Sequence, residues 1–416
     1  MPVSYTAEEV RAMDPVGVLG ALMSRPADVY PLYDRLRETA LNYLSPLGIR
    51  FLTGYEGINA LLRSPAFVQA DVAGDPRFAD SSWLRVRRLT LLFANPPQHT
   101  RLRALVSRAF TAKAVEELRS ATQKFVDAHL DRCAELEVFD LVADLGAHLP
   151  TEVITTMLGI DERDAASVAS WAHAVARATS MWCDDETLAA ADTATDGFMD
   201  LIGGLLEERR RQPGADMLTA LLHAQEGDER LTPQEIQLLA MTLLVAGTET
   251  STKLISTGVM HLLQHPGEVA KLQRDPGLLK PAVEELLRFD APINASMIRV
   301  ATEDTEIAGA PVGGGEQVVA FIGAGNRDPE AFDQPNRLWI DRPNPRPHLS
   351  FGNGAHFCLG SALARMQAGI VLRSLLVDRL PDLRLKPDER IEYLEDFPPL
   401  RGAARVLVCP GERGDR

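Results

Sequence analysis

Ten residues, Phe351-Gly352-Asn353-Gly354-Ala355-His356-Phe357-Cys358-Leu359-Gly360, set three glycines and one cysteine around a histidine. Glycine is used where backbone takes positive φ or passes close to another group. Gly352, Gly354 and Gly360 therefore describe a tight turn wrapped against a flat surface, with Cys358 at its tip. From Leu359 to Leu376 there is no proline, and apolar residues recur at helical spacing (Leu359, Leu363, Met366, Ile370). The thiol thus lies just before or at a helix N-terminus, where the macrodipole favours a thiolate.

A lone cysteine is ordinarily a small buried hydrophobe, a reading that this glycine pattern disfavours. A cysteine nucleophile needs a partner base and an oxyanion hole, and nothing nearby supplies both. A thiolate metal ligand fits better. Zinc and iron–sulfur sites take several N or S ligands, whereas haem iron takes one axial thiolate because the porphyrin supplies the other four donors. The pattern Phe351-Gly-x-Gly-x-His-x-Cys-x-Gly360 resembles the haem-binding signature of the cytochrome P450 family. The resemblance implies haem b as cofactor, Cys358 as the metal ligand, and Phe351, Gly352, His356 and Gly360 against the haem.

The elements that must position this loop come next. Asn95-Pro96-Pro97-Gln98-His99 opens a helix, with Asn95 as its cap and proline in the first turn. His99 and Arg103 are four apart and share a face, as an ordinary helix-face pair would. The resemblance implies that His99 and Arg103, together with Arg299 and His356, meet the haem propionates, since buried carboxylates require cationic or hydrogen-bonding groups.

Thr232-Pro233-Gln234-Glu235 is a capping box with proline at the first helical position, and the apolar pattern runs on to Pro266. A helix over residues 231–265 spans about 50 Å. It is too polar around Glu249 and Lys253 for a membrane span, and it must cross the domain. At its middle, Ala246-Gly247-Thr248-Glu249-Thr250 combines glycine with hydroxyl side chains, so local widening is expected there; a glycine needed for close packing is the alternative. The resemblance implies that Ala246 and Gly247 lie against the haem, with Gly247 leaving room for dioxygen. On the same grounds Glu249 and Thr250 are catalytic: Thr250 would donate a hydrogen bond to the oxygen being activated, and Glu249 would relay protons from solvent. Thr248 and Ser251 make the bend more polar than a single alcohol does.

Glu285 and Arg288 sit three apart on a helix, and as a surface pair they would contribute little. The resemblance implies a buried pair joined by Arg342, with a structural role in holding the segment that positions Cys358. By the same analogy a substrate pocket is drawn from residues 68–93, from 170–187, from the middle of the long helix, and from 293–297 and 397–400. Its candidate lining is Trp83, Leu92, Phe93 and Trp182 from the first two stretches, then Leu244, Val245, Ile293 and Met297. Most are apolar, which suits a medium to large hydrophobic substrate, although plain core packing explains each of them equally.

The chain of 416 residues, 45% hydrophobic and 24% charged, has the composition of a soluble globular protein. Without repeats or long linkers, a single domain is expected over residues 1–416. Its fold class is mainly α with a small β region, contributed by N-terminal residues, the stretch around 316–321 and that near Val406. The resemblance makes it the triangular cytochrome P450 fold, with the long central helix over the haem. A net charge of −15 disfavours nucleic acid and anionic membranes as partners. The first fifteen residues lack an apolar run, so neither signal peptide nor membrane anchor is expected and a cytoplasmic location follows. Cys133, Cys183, Cys358 and Cys409 show no paired spacing.

The resemblance implies a monooxygenase that inserts one oxygen atom from O2 into a hydrophobic small molecule, plausibly in natural-product biosynthesis, with electrons from a ferredoxin. A catalytically silent haem-fold recruitment protein and a peroxide-driven variant are the alternatives. Intact Cys358, Glu249 and Thr250 favour the monooxygenase. Arg101, Arg108 and Lys113, with Arg346, Arg365 and Arg373, are expected to converge beside the cysteine loop, where they would steer an acidic iron–sulfur partner.

Overall fold

The computed structural model describes residues 4–411 apart from 25, 41, 72, 180–182, 227, 390 and 394–399. Helices dominate. Those that position the site are α1 (Pro15–Met23), α2 (Tyr55–Arg63), α3 (Ser82–Arg87), α4 (Gln98–Ala109), α5 (His148–Leu158), α6 (Ala165–Arg177), α7 (Asp185–Arg211), α8 (Pro233–Gln264), α9 (Leu279–Phe289) and α10 (Ser361–Arg373).

The larger sheet has five strands in the order β1-β2-β5-β4-β3, where β1 is Asn42–Leu44, β2 Ile49–Leu52, β3 Phe67–Gln69, β4 Arg299–Ala301 and β5 Gln317–Ala320. β5 runs parallel to β2, with Gln317 opposite Ile49, and antiparallel to β4, with Val318 opposite Arg299. On the other side of β4, Gln69 of β3 pairs with Arg299. The two β-rich stretches read from the sequence are β2 and β5. The stretch near Val406 contributes to a second small sheet, in which Leu407–Cys409 lies between Arg384–Leu385 and Phe139–Asp140.

The capping box at the start of α8 is formed: Glu235 N–H donates to Thr232 Oγ1 (3.2 Å) and Thr232 N–H donates to Glu235 Oε2 (2.8 Å). Satisfying two orphan amides here sets the start of a 32-residue helix. By length and composition α8 is apolar enough to cross a membrane, but most of its apolar stretch is buried against other protein segments. Packed around it are α5, α6, α7, α9 and α10. Each fully buried leucine or valine on it contributes about 1.5–3 kcal/mol.

The expected widening at residues 246–250 does not occur. Those residues stay α-helical, with the Thr248 and Thr250 hydroxyls donating to the Leu244 and Ala246 carbonyls (2.8 and 2.6 Å). Gly247 admits a close neighbour: a Cβ placed there would lie 2.2 Å from Ile154 Cδ1 of α5, and both residues line the same cavity. Asn95 is not a helix cap either, since α4 begins at Gln98 with Pro97 at the cap position. The Asn95 amide pairs with the backbone of Gln69 (2.8 and 3.0 Å) and joins β3 to the entry of α4.

Candidate active site

The cysteine loop is shaped by two glycines. Gly352 and Gly354 both have φ of +68°, which L side chains rarely adopt, and a Cβ at Gly354 would come within 2.6 Å of the Leu62 carbonyl at the end of α2. Gly360 has φ of −79° and is needed for neither reason. Cys358 N–H donates to the Phe351 carbonyl (2.8 Å), closing the loop just before α10. Asn326 fastens its approach: Leu349 N–H donates to the Asn326 side chain (2.7 Å), and that side chain donates to Ser350 Oγ (2.8 Å).

Burial pushes the Cys358 thiol up, against the pull of the Gly360 amide and the Arg103 and Arg365 guanidiniums. In the thiol without a metal, desolvation thus outweighs these three favourable contacts. A metal ion at Sγ takes the thiolate and displaces the proton.

The structure brings His99, Arg103, Arg299 and His356 to the wall of the cavity that Cys358 faces. The His99 and His356 rings lie 4.0 Å apart. Burial, reinforced by Arg299, His99 and Arg103, brings the His356 imidazole down to about 3, and burial brings Arg299 down to about 10. Among the described residues, His99 Nε2 and Arg299 Nε are buried without a hydrogen-bond partner. Among the described residues no carboxylate pulls on Arg103 or Arg299. Buried cations and hydrogen-bonding groups that converge with no acid beside them among the described residues suit a ligand that brings its own negative charge.

The same cavity is also lined by Ala246, Gly247, Glu249 and Thr250 of α8. Glu249 accepts from His173 Nδ1 of α6 (3.0 Å) and lies 3.6 Å from Lys253 Nζ. Burial raises the Glu249 carboxyl, but His173 and Lys253 outweigh it and hold the group below its ordinary value. His173 is half-exposed, so the pair connects the cavity wall to solvent. Sequence reasoning missed His173, because nothing in the spacing of residues 76 apart signals the contact.

The sequence profile of the family described as Cytochrome P450 matches residues 41–276 and 277–379. The chain belongs to the cytochrome P450 family. It is 37% identical to the cytochrome P450 monooxygenase PikC of Streptomyces venezuelae, covering 97% of this chain and 96% of that protein. It is 38% identical to 6-deoxyerythronolide B hydroxylase of Saccharopolyspora erythraea, covering 71% of each. Among solved structures, P450BioI in complex with hexadec-9Z-enoic acid ligated acyl carrier protein superposes with a TM-score of 0.86 at 33% identity, covering 91% of this chain and 97% of that one. This P450 is a monooxygenase and its cofactor is haem. The thiol, the orphaned His99 and Arg299 nitrogens and the unpaired cations fit that group.

Arg299→Ala and Arg103→Ala are each expected to weaken haem binding by about 1.5–3 kcal/mol, the worth of one charge-assisted hydrogen bond. Titration of the apoprotein with haemin measures this, and parent-like affinity in both variants would refute the propionate assignment.

Glu285, Arg288 and Arg342 form one buried cluster in the P450. Arg288 donates to both Glu285 oxygens (2.8 Å each), and Arg342 donates to the same two (3.1 and 3.0 Å). Their remaining N–H groups reach the carbonyls of Asn326, Pro335 and Arg337. Burial raises the Glu285 carboxyl, but the two guanidiniums hold it below its ordinary value.

Of the pocket residues expected from sequence, Trp83, Leu92, Phe93, Val245, Ile293 and Met297 line the cavity. Leu244 does not: it is fully buried on the core side of α8, one helical step from Val245. Trp182 lies outside the described residues. Ile154 and Met157 of α5 and the polar Gln69, Thr242 and Ser296 also line the cavity and went unread, since helical period places them equally well in a core.

The expected basic patch is largely offset by neighbouring acids. Arg101 pairs with Glu235, Arg346 with Glu56 (2.5 Å), Arg365 with Glu284 (2.6 Å), Arg373 with Asp378 (3.1 Å) and Lys113 with Glu117 (3.8 Å).

Proposed function

We propose that this P450 inserts one oxygen atom from O2 into a medium to large hydrophobic small molecule, as a step in natural-product biosynthesis in the cytoplasm. The observation that carries the reading is one largely apolar cavity whose lining includes Cys358 of the loop together with Glu249 and Thr250 of α8. Cys358 would hold the haem iron and His99, Arg103, Arg299 and His356 its carboxylates, and the group so held would supply the activation of O2, favoured by the thiolate's electron donation.

The chain's own residues bind, orient and deliver protons. Apolar side chains such as Val245, Ile293 and Met297 orient the substrate and exclude bulk water. Protons enter at His173, whose Nδ1 bonds the Glu249 carboxylate at the cavity wall (3.0 Å), and Thr250, whose hydroxyl donates to the Ala246 carbonyl (2.6 Å), presents an alcohol to the same cavity. Electrons come from a ferredoxin-type protein docking over the Cys358 loop, where Phe357 is 39% exposed. Because most of the nearby cations are paired, long-range steering of that partner is weak and the salt dependence of its association is shallow.

Turnover with ferredoxin, its reductase and 18O2 tests the reading: one labelled oxygen should appear in the product. A protein that shows the thiolate carbon monoxide spectrum but incorporates no label from any hydrophobic substrate would overturn it. Thr250→Ala should leave that spectrum intact and divert reducing equivalents to hydrogen peroxide, lowering coupled product formation by about 10²-fold or more. Equal coupling in variant and parent would move the proton-delivery role to Thr248, Ser251 or the substrate.

A further inference from the structure

A second cavity, of about 630 Å³, adjoins the active-site cavity and shares Gln69, Phe93, Thr179, Ser296 and Met297 with it. It reaches the surface beside α1 and the β1–β2 turn, where Val16, Met23 and Leu47 of its lining are 50%, 41% and 81% exposed. The second cavity thus lies between the surface and a wall that it shares with the active-site cavity. Its wall is mainly apolar, so its charged residues stand out: Asp71, Asp75, Arg77 and Arg87.

Three of these four are committed. Arg77 pairs with Asp75 (2.9 Å) and Asp185 (3.0 Å) and also donates to the Cys183 carbonyl (2.9 Å). The Asp71 carboxylate accepts from Ala73 N–H (3.0 Å). Arg87, at the end of α3, differs. Its guanidinium lies 4.0 Å from the centre of the Phe93 ring, which is part of the wall common to both cavities. Among the described residues its Nε is buried without a partner and no carboxylate bonds to the guanidinium. Asp75 and Cys183 attract it only at longer range, and burial brings the group down to about 10. A largely desolvated guanidinium without an anion is costly unless a ligand brings one, and its planar fork matches an oxyanion.

We propose that Arg87 determines specificity by binding an anionic oxygen group of the substrate, a carboxylate of its own or the phosphate of a carrier arm, while the apolar remainder extends past Phe93 toward Cys358. The inference rests on the monooxygenase reading of the cavity and adds the chemical class that enters it.

The test is a Soret titration of the haem-loaded enzyme with unbranched alkanoates of eight to sixteen carbons, their methyl esters, and the matching alkyl phosphates. In the parent, at least one acid or phosphate should bind about tenfold or more tightly than its ester, equivalent to about 1.4 kcal/mol. Arg87→Leu should abolish that preference while leaving ester affinity unchanged, and Arg87→Lys should retain part of it. A stronger preference for the phosphate assigns the anion to a carrier arm; a stronger preference for the acid assigns it to the substrate itself. Equal binding of acids, phosphates and esters in the parent, a preference that survives in Arg87→Leu, or no spectral shift with any member overturns the proposal. The ferrous carbon monoxide spectrum separates the two readings. With that spectrum present, such a result removes only the Arg87 assignment; with it absent from the parent, the haem-thiolate reading fails and this inference with it.

Discussion

Cys358→Ser is expected to abolish the thiolate signature of the ferrous carbon monoxide complex and to eliminate monooxygenase turnover. Sulfur is a softer and stronger donor than a neutral hydroxyl, and its electron push is what favours O–O cleavage. The loop itself does not depend on the side chain. Its turns come from Gly352 and Gly354, and its closing bond is made by the Cys358 amide to Phe351. The variant should therefore fold, with a parent-like circular dichroism spectrum, and the loss should be one of chemistry rather than of structure. Persistence of the thiolate spectrum in Cys358→Ser would place the ligand elsewhere. An alanine at the same position serves as a control, since it offers no donor atom at all.

The second large effect is structural and lies in the Glu285 cluster. Glu285→Ala leaves Arg288, which is 2% exposed, and Arg342 buried beside each other without their anion. Removing one member of a buried ion cluster costs about 3–5 kcal/mol. Against a total stability of about 5–15 kcal/mol, that is enough to reduce haem-loaded yield sharply. Urea unfolding and haem content per chain measure it. Should the alanine variant fail to fold, Glu285→Gln keeps the size and tests the charge alone. A loss below about 1 kcal/mol in either variant would show that the carbonyls around the two arginines suffice.

The pH dependence follows from the direction of the shift. Burial raises the Glu285 carboxyl and the two guanidiniums lower it further, so its folded value lies below the ordinary 4.5. The unfolded chain then takes up the proton first on acidification. The stabilisation is complete above about pH 4.5 and declines as pH falls through the folded value. Acid unfolding of the parent should be steeper than that of Glu285→Gln below pH 4.5.

The sequence by itself determined the covalent and local part of this protein. The Gly-x-Gly-x-His-x-Cys-x-Gly spacing identifies the thiolate loop because left-handed turns and a ligand atom are local requirements. The Thr232–Glu235 box and unbroken helical period identify α8 for the same reason. Glu285 and Arg288, three residues apart, are likewise a neighbouring pair in the chain.

Only the tertiary structure decided what lies between elements. Whether Gly247 leaves space or accepts a neighbour depends on Ile154 of another helix. Whether Cys358 is a ready thiolate depends on desolvation, which packing sets and which here exceeds the pull of the Gly360 amide and of Arg103 and Arg365. Leu244 and Val245 are adjacent and equally apolar, yet one faces the core and the other the cavity, a distinction that the apolar period does not carry when both sides of a helix are covered. The contacts of Glu249 with His173 and of Arg87 with Phe93, and the pairing of the surface arginines with acids, depend on where separate elements come to rest. Each needs the coordinates of two packed segments, and a residue pattern along one segment contains only its own.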